Sequence, residues 1–305
     1  MQKIGDHLNP QNNAPHVFLI GVPKAGTTWL SKILGQHPEI SFSNPKEPNF
    51  IAFHKGTFKR IKNEPIWDKY DTYFSGAGIR IDGSIHAFAC PLAPERIAER
   101  FPNSKFILCL REPVSRTFSH WKMIIDTLED KKYNCDWSDF KLAWQDDRLR
   151  CDSLYATSME RWLKYFSLDK FLIINSKLFR NKPQSIIRDI EEFLKIDNYE
   201  FNFDSRILSN ESKSRRIPNL LGRMLIGISK ITPKIIKSPI ANALIKREIN
   251  IYSSPIISRK TQEFYLNDQH YNICGEILSK ELQKFEDISK FDTSEWIKLI
   301  KSKIN

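Results

Sequence analysis

No stretch of this 305-residue chain approaches the roughly 18 consecutive apolar residues that a membrane-spanning helix needs, and the first fifteen residues are polar. The sequence therefore predicts neither a signal peptide nor a transmembrane anchor, and a cytoplasmic location. Cysteine is sparse. The five thiols (Cys90, Cys109, Cys135, Cys151 and Cys274) are odd in number, scattered, and never spaced as C-x-x-C. That pattern argues against a disulfide framework and against a zinc site, and for reduced thiols with no bound metal. Internal repeats and low-complexity segments are absent, which removes solenoids from consideration. Acidic residues are also short, 36 against 47 Lys and Arg, for a net charge of +11. The deficit is local: Arg206 to Lys260 holds twelve Lys and Arg against two acids, Glu211 and Glu248. A basic block of this kind calls for an anionic partner: a polyphosphorylated nucleotide, an acidic glycan, a lipid headgroup or nucleic acid.

What is present is a hydrophobic fraction of 41% and an aromatic fraction of 12%, enough for a globular core. The strongest local signal runs from His16 to Leu30. Val17 to Ile20 reads as a buried strand, and Trp29, Leu30, Ile33 and Leu34 follow with helical spacing. Between them, Gly21 and Gly26 bound a loop with the G-x-x-x-x-G spacing of a P-loop. A strand that feeds a helix through such a loop aims unpaired first-turn N–H groups and the positive end of the helix dipole at an anion. The departure from the Walker pattern is informative. Thr27 stands where that pattern has lysine, Lys24 sits inside the loop instead, and Thr28 keeps the hydroxyl position.

Further along, Ile40–Phe42, Ile79–Asp82, Phe106–Leu110 and Phe171–Asn175 read as strands. Pro94–Phe101, a segment opening at Pro113, Ser138–Trp144, Ser153–Phe166, Pro183–Leu194, His270–Phe285 and Thr293–Ile300 read as helices. Ala52–Phe74 shows aromatics and charges without a clear period, so an irregular excursion with short helices is expected there. Continuous apolar strands alternating with helices predict an α/β fold of the P-loop type: three layers, with a central, mainly parallel sheet flanked by helices. Ligands of such sheets bind beyond the carboxyl ends of the strands. That end of the Phe106–Leu110 strand is Arg111, whose planar fork suits a phosphate; Ser119 lies two turns into the next helix. Glu47, before Pro48, is held on extended backbone. The expected division is a flexible segment over 1–14 and a single domain over 15–305, with 206–260 a basic loop or helical insertion over the site.

These pieces, in this order, resemble the sulfotransferases that use 3′-phosphoadenosine 5′-phosphosulfate (PAPS), and within them the carbohydrate branch with the heparan sulfate N- and 3-O-sulfotransferase domains. Lys24-Ala25-Gly26-Thr27-Thr28 is similar to that family's 5′-phosphosulfate loop, and Arg111 through Ser119 to its 3′-phosphate motif. Lys46-Glu47-Pro48-Asn49-Phe50 is similar to the stretch that supplies the catalytic glutamate of the 3-O branch. Tyr155 to Leu163 is similar to a helix of that branch. Ser212-Lys213-Ser214-Arg215 resembles the late loop over the nucleotide, with Ser214 replacing its usual glycine. The likeness spans residues 15 to 220. It lacks the cysteine pair of secreted-pathway relatives, which fits a cytosolic microbial enzyme.

The resemblance implies transfer of a sulfuryl group from PAPS, without a metal, to a hydroxyl or amine of an acceptor such as a carbohydrate. Glu47 would be the base and Lys24 the group that stabilises the departing phosphate. Lys24, Ala25, Gly26, Thr27, Thr28, Arg111, Ser119, Lys213, Ser214 and Arg215 would hold the nucleotide, and Lys46, Asp82 and His86 would touch the acceptor. The expected partner is a glycan or a small hydroxylated molecule, with no nucleic acid and with peripheral contact to an anionic membrane left open. His120, Trp121 and Trp162 read as structural. Two other readings stand beside this one: a P-loop kinase acting with ATP and Mg²⁺, and a non-catalytic protein binding membrane or nucleic acid through the basic stretch. Against the kinase, no lysine follows Gly26, and the second strong strand ends in Arg111 rather than in a metal-binding aspartate.

Overall fold

The computed structural model describes residues 16–76, 78–203, 216–219, 221–222, 256–260 and 263–304. The strands are β1 (Val17–Gly21), β2 (Ile40–Phe42), β3 (His54–Lys55), β4 (Lys59–Arg60), β5 (Ile79–Asp82), β6 (Lys105–Leu110), β7 (Phe171–Asn175), β8 (Arg216–Pro218) and β9 (Ser258–Lys260). The helices are α1 (Thr27–Leu34), α2 (Ala93–Arg100), α3 (Pro113–Thr127), α4 (Glu129–Lys132), α5 (Phe140–Gln145), α6 (Asp147–Arg150), α7 (Tyr155–Trp162), α8 (Leu178–Asn181) and α9 (Pro183–Leu194). Two more follow near the C-terminus, α10 (Asp268–Ser289) and α11 (Ser294–Lys303).

Five strands form one sheet in the order β2-β5-β1-β6-β7, and every neighbouring pair is parallel. Val17 lies opposite Ile81 on one side and Lys105 on the other, so β1 is central. All five of its residues are buried, as a strand covered on both faces requires. Side chains of β6 alternate between the faces. Phe106 packs against Trp162 of α7 and against Phe166, with ring centroids 4.9 and 4.6 Å apart. Lys105 points the other way, and its ammonium donates to the Phe193 carbonyl of α9. Helices thus cover both faces, giving the α/β, three-layer arrangement expected from the strand pattern.

Local chemistry explains where the helices start and stop. Pro113 and Pro183 occupy first-turn positions of α3 and α9, where the missing N–H costs nothing. Both helices end on a left-handed residue, Leu128 and Lys195. The expected helix at 138–144 begins at Phe140, because the Asp139 carboxylate accepts from the Lys141 and Leu142 N–H groups as an N-cap. The excursion after β2 carries a two-residue hairpin, β3–β4, and a 3₁₀ turn over Trp67–Tyr73. Tyr70 anchors it, its hydroxyl donating to Asp82 Oδ2 at 2.9 Å. Of the basic stretch 206–260, the described part is 216–219, 221–222 and 256–260, including the antiparallel β8–β9 pair. Lys213, Ser214 and Arg215 lie outside the described residues. Among those described, no helix is long and apolar enough to cross a membrane.

Three histidines make stability pH-dependent. Burial is the largest cause in each case, lowering His16 to about 4 and His54 to about 3 and holding His120 well below the ordinary range. Nearby arginines act in the same direction: Arg80 on His16, Arg60 on His54 and Arg116 on His120. Each stays neutral in the folded chain, while the unfolded chain takes up a proton below about pH 6.5. The stability they contribute is therefore complete above pH 6.5 and falls as the pH drops toward 4, by about 1.4 kcal/mol per pH unit for each histidine. Urea midpoints should decline from pH 6.5 to pH 4.5, and His54→Gln should flatten the slope. Equal midpoints at pH 7 and pH 5 would contradict this.

Candidate active site

The loop between β1 and α1 is shaped by two left-handed residues, Lys24 (φ 72°) and Gly26 (φ 78°). Lysine adopts this conformation at a backbone cost that the surrounding loop must hold in place. Gly26 is needed twice over: a side chain there would be strained, and its Cβ would sit 2.7 Å from the Phe179 ring. The Val22 N–H donates to the Cys109 carbonyl at 2.8 Å, tying the loop to β6, while Ala25 packs inward, fully buried. Gly26 and Thr28 are exposed and Thr27 is buried. Helix α1 begins with no side-chain cap and with no acid in its first turn. Its N–H groups and dipole are left for an anion.

The start of α3 makes a contrast. There the Glu112 carboxylate accepts from the Val114 and Ser115 N–H groups at 2.9 and 2.7 Å, so that helix end is filled by its own residue. The phosphate-binding potential beyond β6 rests on side chains. Arg111 is half-buried, and its Nη1 donates to the Lys24 carbonyl at 3.4 Å. Its own carbonyl accepts from the Tyr155 hydroxyl at 2.7 Å, so the similar helix noted in the sequence, α7, steadies the strand tip. Ser119 and Met123 are four residues apart on α3 and share one face. Met123 Sδ lies 3.6 Å from Lys24 Nζ, which turns that face toward the loop. Lys24, Arg111 and the Ser119 face of α3 therefore come together.

Lys46 and Glu47 reach the same place from β2. The strand order puts β5 between β2 and β1, so the segment after β2 must cross the tip of β5 to meet the loop. It does so at Gly83, where a Cβ would lie 2.5 Å from the Lys46 carbonyl oxygen. Ser43 fastens the crossing: its hydroxyl donates to the Lys46 carbonyl at 2.8 Å and accepts from the Gly83 N–H at 3.2 Å. Asn49, also left-handed (φ 48°), donates its N–H to Ser84 Oγ at 2.9 Å. So held, Lys46 places its ammonium 2.8 Å from Glu47 Oε1 and 3.4 Å from Thr27 Oγ1. One cation touches both the carboxylate and the loop.

Asp82 and His86 are placed differently. Asp82 is buried; its Oδ1 accepts from the Ser84 N–H and its Oδ2 from Tyr70, so both oxygens serve the turn beneath Glu47. His86 faces inward and lies 3.8 Å from Asp152 Oδ2. It belongs to a buried cluster whose members no local pattern joins. Asp152 Oδ2 also lies 3.6 Å from His120 Nδ1 and 3.9 Å from Arg116 Nη1, and Thr57 Oγ1 lies 2.8 Å from His120 Nε2. Although burial alone would raise the Asp152 carboxyl, contacts with His86, Arg116 and His120 outweigh it and hold the group well below the usual carboxylate range. The cluster packs on the side of α3 that carries Arg116 and His120, next to the Ser119 face. Among the described residues, no group of three or more metal-type ligands occurs, and the five cysteines are unpaired.

Comparison with known proteins fits this geometry. The sulfotransferase domain family matches residues 14–216. The chain is 27% identical over 203 residues to the bifunctional heparan sulfate N-deacetylase/N-sulfotransferase 1 of Xenopus laevis, covering 60% of this chain and 22% of that protein. It is 28% identical over 205 residues to the mouse heparan sulfate glucosamine 3-O-sulfotransferase 5, covering 63% of this chain and 57% of that protein. This chain thus spans about a fifth of the length of the first of these curated relatives and rather more than half of the second. Among solved structures, a sulfotransferase from Alicyclobacillus acidocaldarius superposes with a TM-score of 0.58 at 18% identity, over 92% of this chain and 98% of that one, a likeness of fold. With the loop, the strand-tip arginine and the fold in agreement, and with the family matching two thirds of its length, this chain belongs to the sulfotransferases and is an enzyme of that family.

Proposed function

We propose that this enzyme moves the sulfuryl group of PAPS to a hydroxyl or amine of a carbohydrate acceptor, with Glu47 as base and Lys24 as the cation at the departing phosphate. The observation that supports this most is the Lys46 ammonium, shared between Thr27 of the loop and Glu47, because it sets a proton acceptor beside an anion site. The residues present suit the donor: an uncapped α1 and Lys24 for one anionic end, Arg111 and Ser119 for the other. Lys213, Ser214 and Arg215 would complete the nucleotide contacts and Lys46 would face the acceptor, while the buried Asp82 and His86, expected from the sequence to touch it, would support the site from beneath.

In-line displacement at sulfur demands positioning and charge stabilisation more than covalent help from the protein. Glu47 would accept the acceptor's proton as its oxygen or nitrogen bonds to sulfur. Lys24 would offset, or protonate, the charge gathering on the bridging oxygen as its bond to sulfur breaks. Heparan sulfate enzymes among the relatives, and the basic stretch 206–260, favour an acidic or aminated glycan as acceptor. A single domain over 15–305, a cytoplasmic location and metal-free chemistry complete the reading.

The kinase reading predicts the opposite nucleotide preference. Adenosine 3′,5′-bisphosphate, at about a hundred times its dissociation constant and without magnesium, should raise the melting temperature by on the order of 5 °C. ATP with Mg²⁺ should do little. The reverse ranking would overturn the sulfotransferase donor assignment.

A further inference from the structure

We infer that Lys46 couples donor binding to release of the base. The inference rests on reading the β1–α1 loop as the donor site and Glu47 as the base. An ammonium has three donors and one charge. Here one N–H direction goes to Glu47 Oε1 at 2.8 Å and another to Thr27 Oγ1 at 3.4 Å, so the cation stands between the base and the anion site. The pair is partly exposed, 21% for the Lys46 side chain and 32% for Glu47, and ion pairs of that exposure are weak and readily exchanged. The backbone on either side is not free to follow. Ser43 clamps the Lys46 carbonyl, Ser84 holds the Asn49 N–H, and Gly83 leaves the Lys46 segment no room to sink. The moving part is the Lys46 side chain alone.

Lys46 is the counter-cation of Glu47, and the carboxylate is engaged. When a phosphosulfate seats at Thr27, its negative charge competes for the same ammonium. Lys46 turns to it, and Glu47 is left with an open oxygen for the acceptor's proton. The nucleotide and Glu47 thus compete for one cation, and each weakens the other's hold on it. Lys46 is a positioning residue under this scheme, acting through Glu47 and the loop.

The competition has a signature that an ordinary supporting role would not give. Removing the Glu47 charge hands Lys46 wholly to the nucleotide. Calorimetric titration with adenosine 3′,5′-bisphosphate should show Glu47→Gln binding about threefold more tightly than the unaltered enzyme, the scale of one exposed charge pair. Lys46→Met should bind about threefold more weakly, and adding Glu47→Gln to Lys46→Met should bring no gain. Lys46→Arg, which keeps the cation, should restore the gain. An equal gain from Glu47→Gln in both backgrounds would mean simple field relief across the site, and no gain in either would mean that the two anions do not compete. Both results overturn the coupling while leaving the donor site intact. Absence of nucleotide binding in every protein, including the unaltered one, would instead remove the donor assignment on which the coupling stands.

Discussion

Lys24→Ala is expected to lower the rate of sulfate transfer from labelled PAPS by about a thousandfold, the scale seen when a preorganised charge is taken from a site where negative charge develops. The fold should tolerate the change. Lys24 has φ 72°, a conformation equally unwelcome to lysine and alanine, so the backbone cost is present before and after substitution. Met123 Sδ, 3.6 Å from the ammonium, is a weak acceptor, and Lys24 is on a surface loop rather than in the core. The urea midpoint should therefore stay within error of the unaltered enzyme while turnover collapses. Undiminished transfer by Lys24→Ala would show that the cation at the departing phosphate is another residue.

The second large effect belongs to Glu47. Glu47→Ala should cost about a hundredfold to ten-thousandfold in turnover, the usual weight of a positioned base. Its segment should keep its place, since Ser43, Gly83, Ser84 and Asn49 fix the backbone without using the Glu47 carboxylate. Adenosine 3′,5′-bisphosphate should still bind at least as well as before, because Lys46, no longer paired with the carboxylate, remains available to the anionic ligand. Transfer and binding measured on one preparation separate the outcomes. Loss of nucleotide binding together with turnover would make Glu47 a structural residue of the loop and send the search for the base elsewhere.

The parts of this molecule that were legible in the sequence are those whose physics is local. Strands β1 and β6 read as apolar runs because both of their faces are covered, and α3 and α9 announced themselves through Pro113 and Pro183 at their first turns. The loop from Gly21 to Thr28 could be recognised because glycine spacing, strand and helix lie within a dozen residues. Contacts set by strand order were not legible. Lys46 meets Thr27 only because β5 lies between their strands and is followed by a glycine, a fact about the sheet rather than about either segment. The same holds for Asp152, which joins His86, His120 and Arg116 from three separate stretches of chain. Each of these reads alone as an unremarkable polar residue. Asp82 illustrates the converse: its position after a strand suggests an open crevice, yet Tyr70, from an excursion without periodicity, takes one of its oxygens. The two-residue strands β3 and β4 are too short to leave any pattern.

The crossing at Gly83 also determines which parts of the chain are free to diversify. The spacing between Glu47 and the β1–α1 loop is set by residues 43–49 resting on 82–84, and the hairpin and the 3₁₀ turn lie in the excursion that joins those two segments. The excursion enters the crossing at Tyr70, through Asp82 Oδ2, and at Tyr73, through the Asn44 N–H; elsewhere it can change length or aromatic surface without moving Glu47 relative to Thr27. Exchanging the rest of 51–76 while keeping Tyr70 and Tyr73 should leave the Lys46–Thr27 approach intact, whereas any side chain at position 83 would push directly against the Lys46 carbonyl.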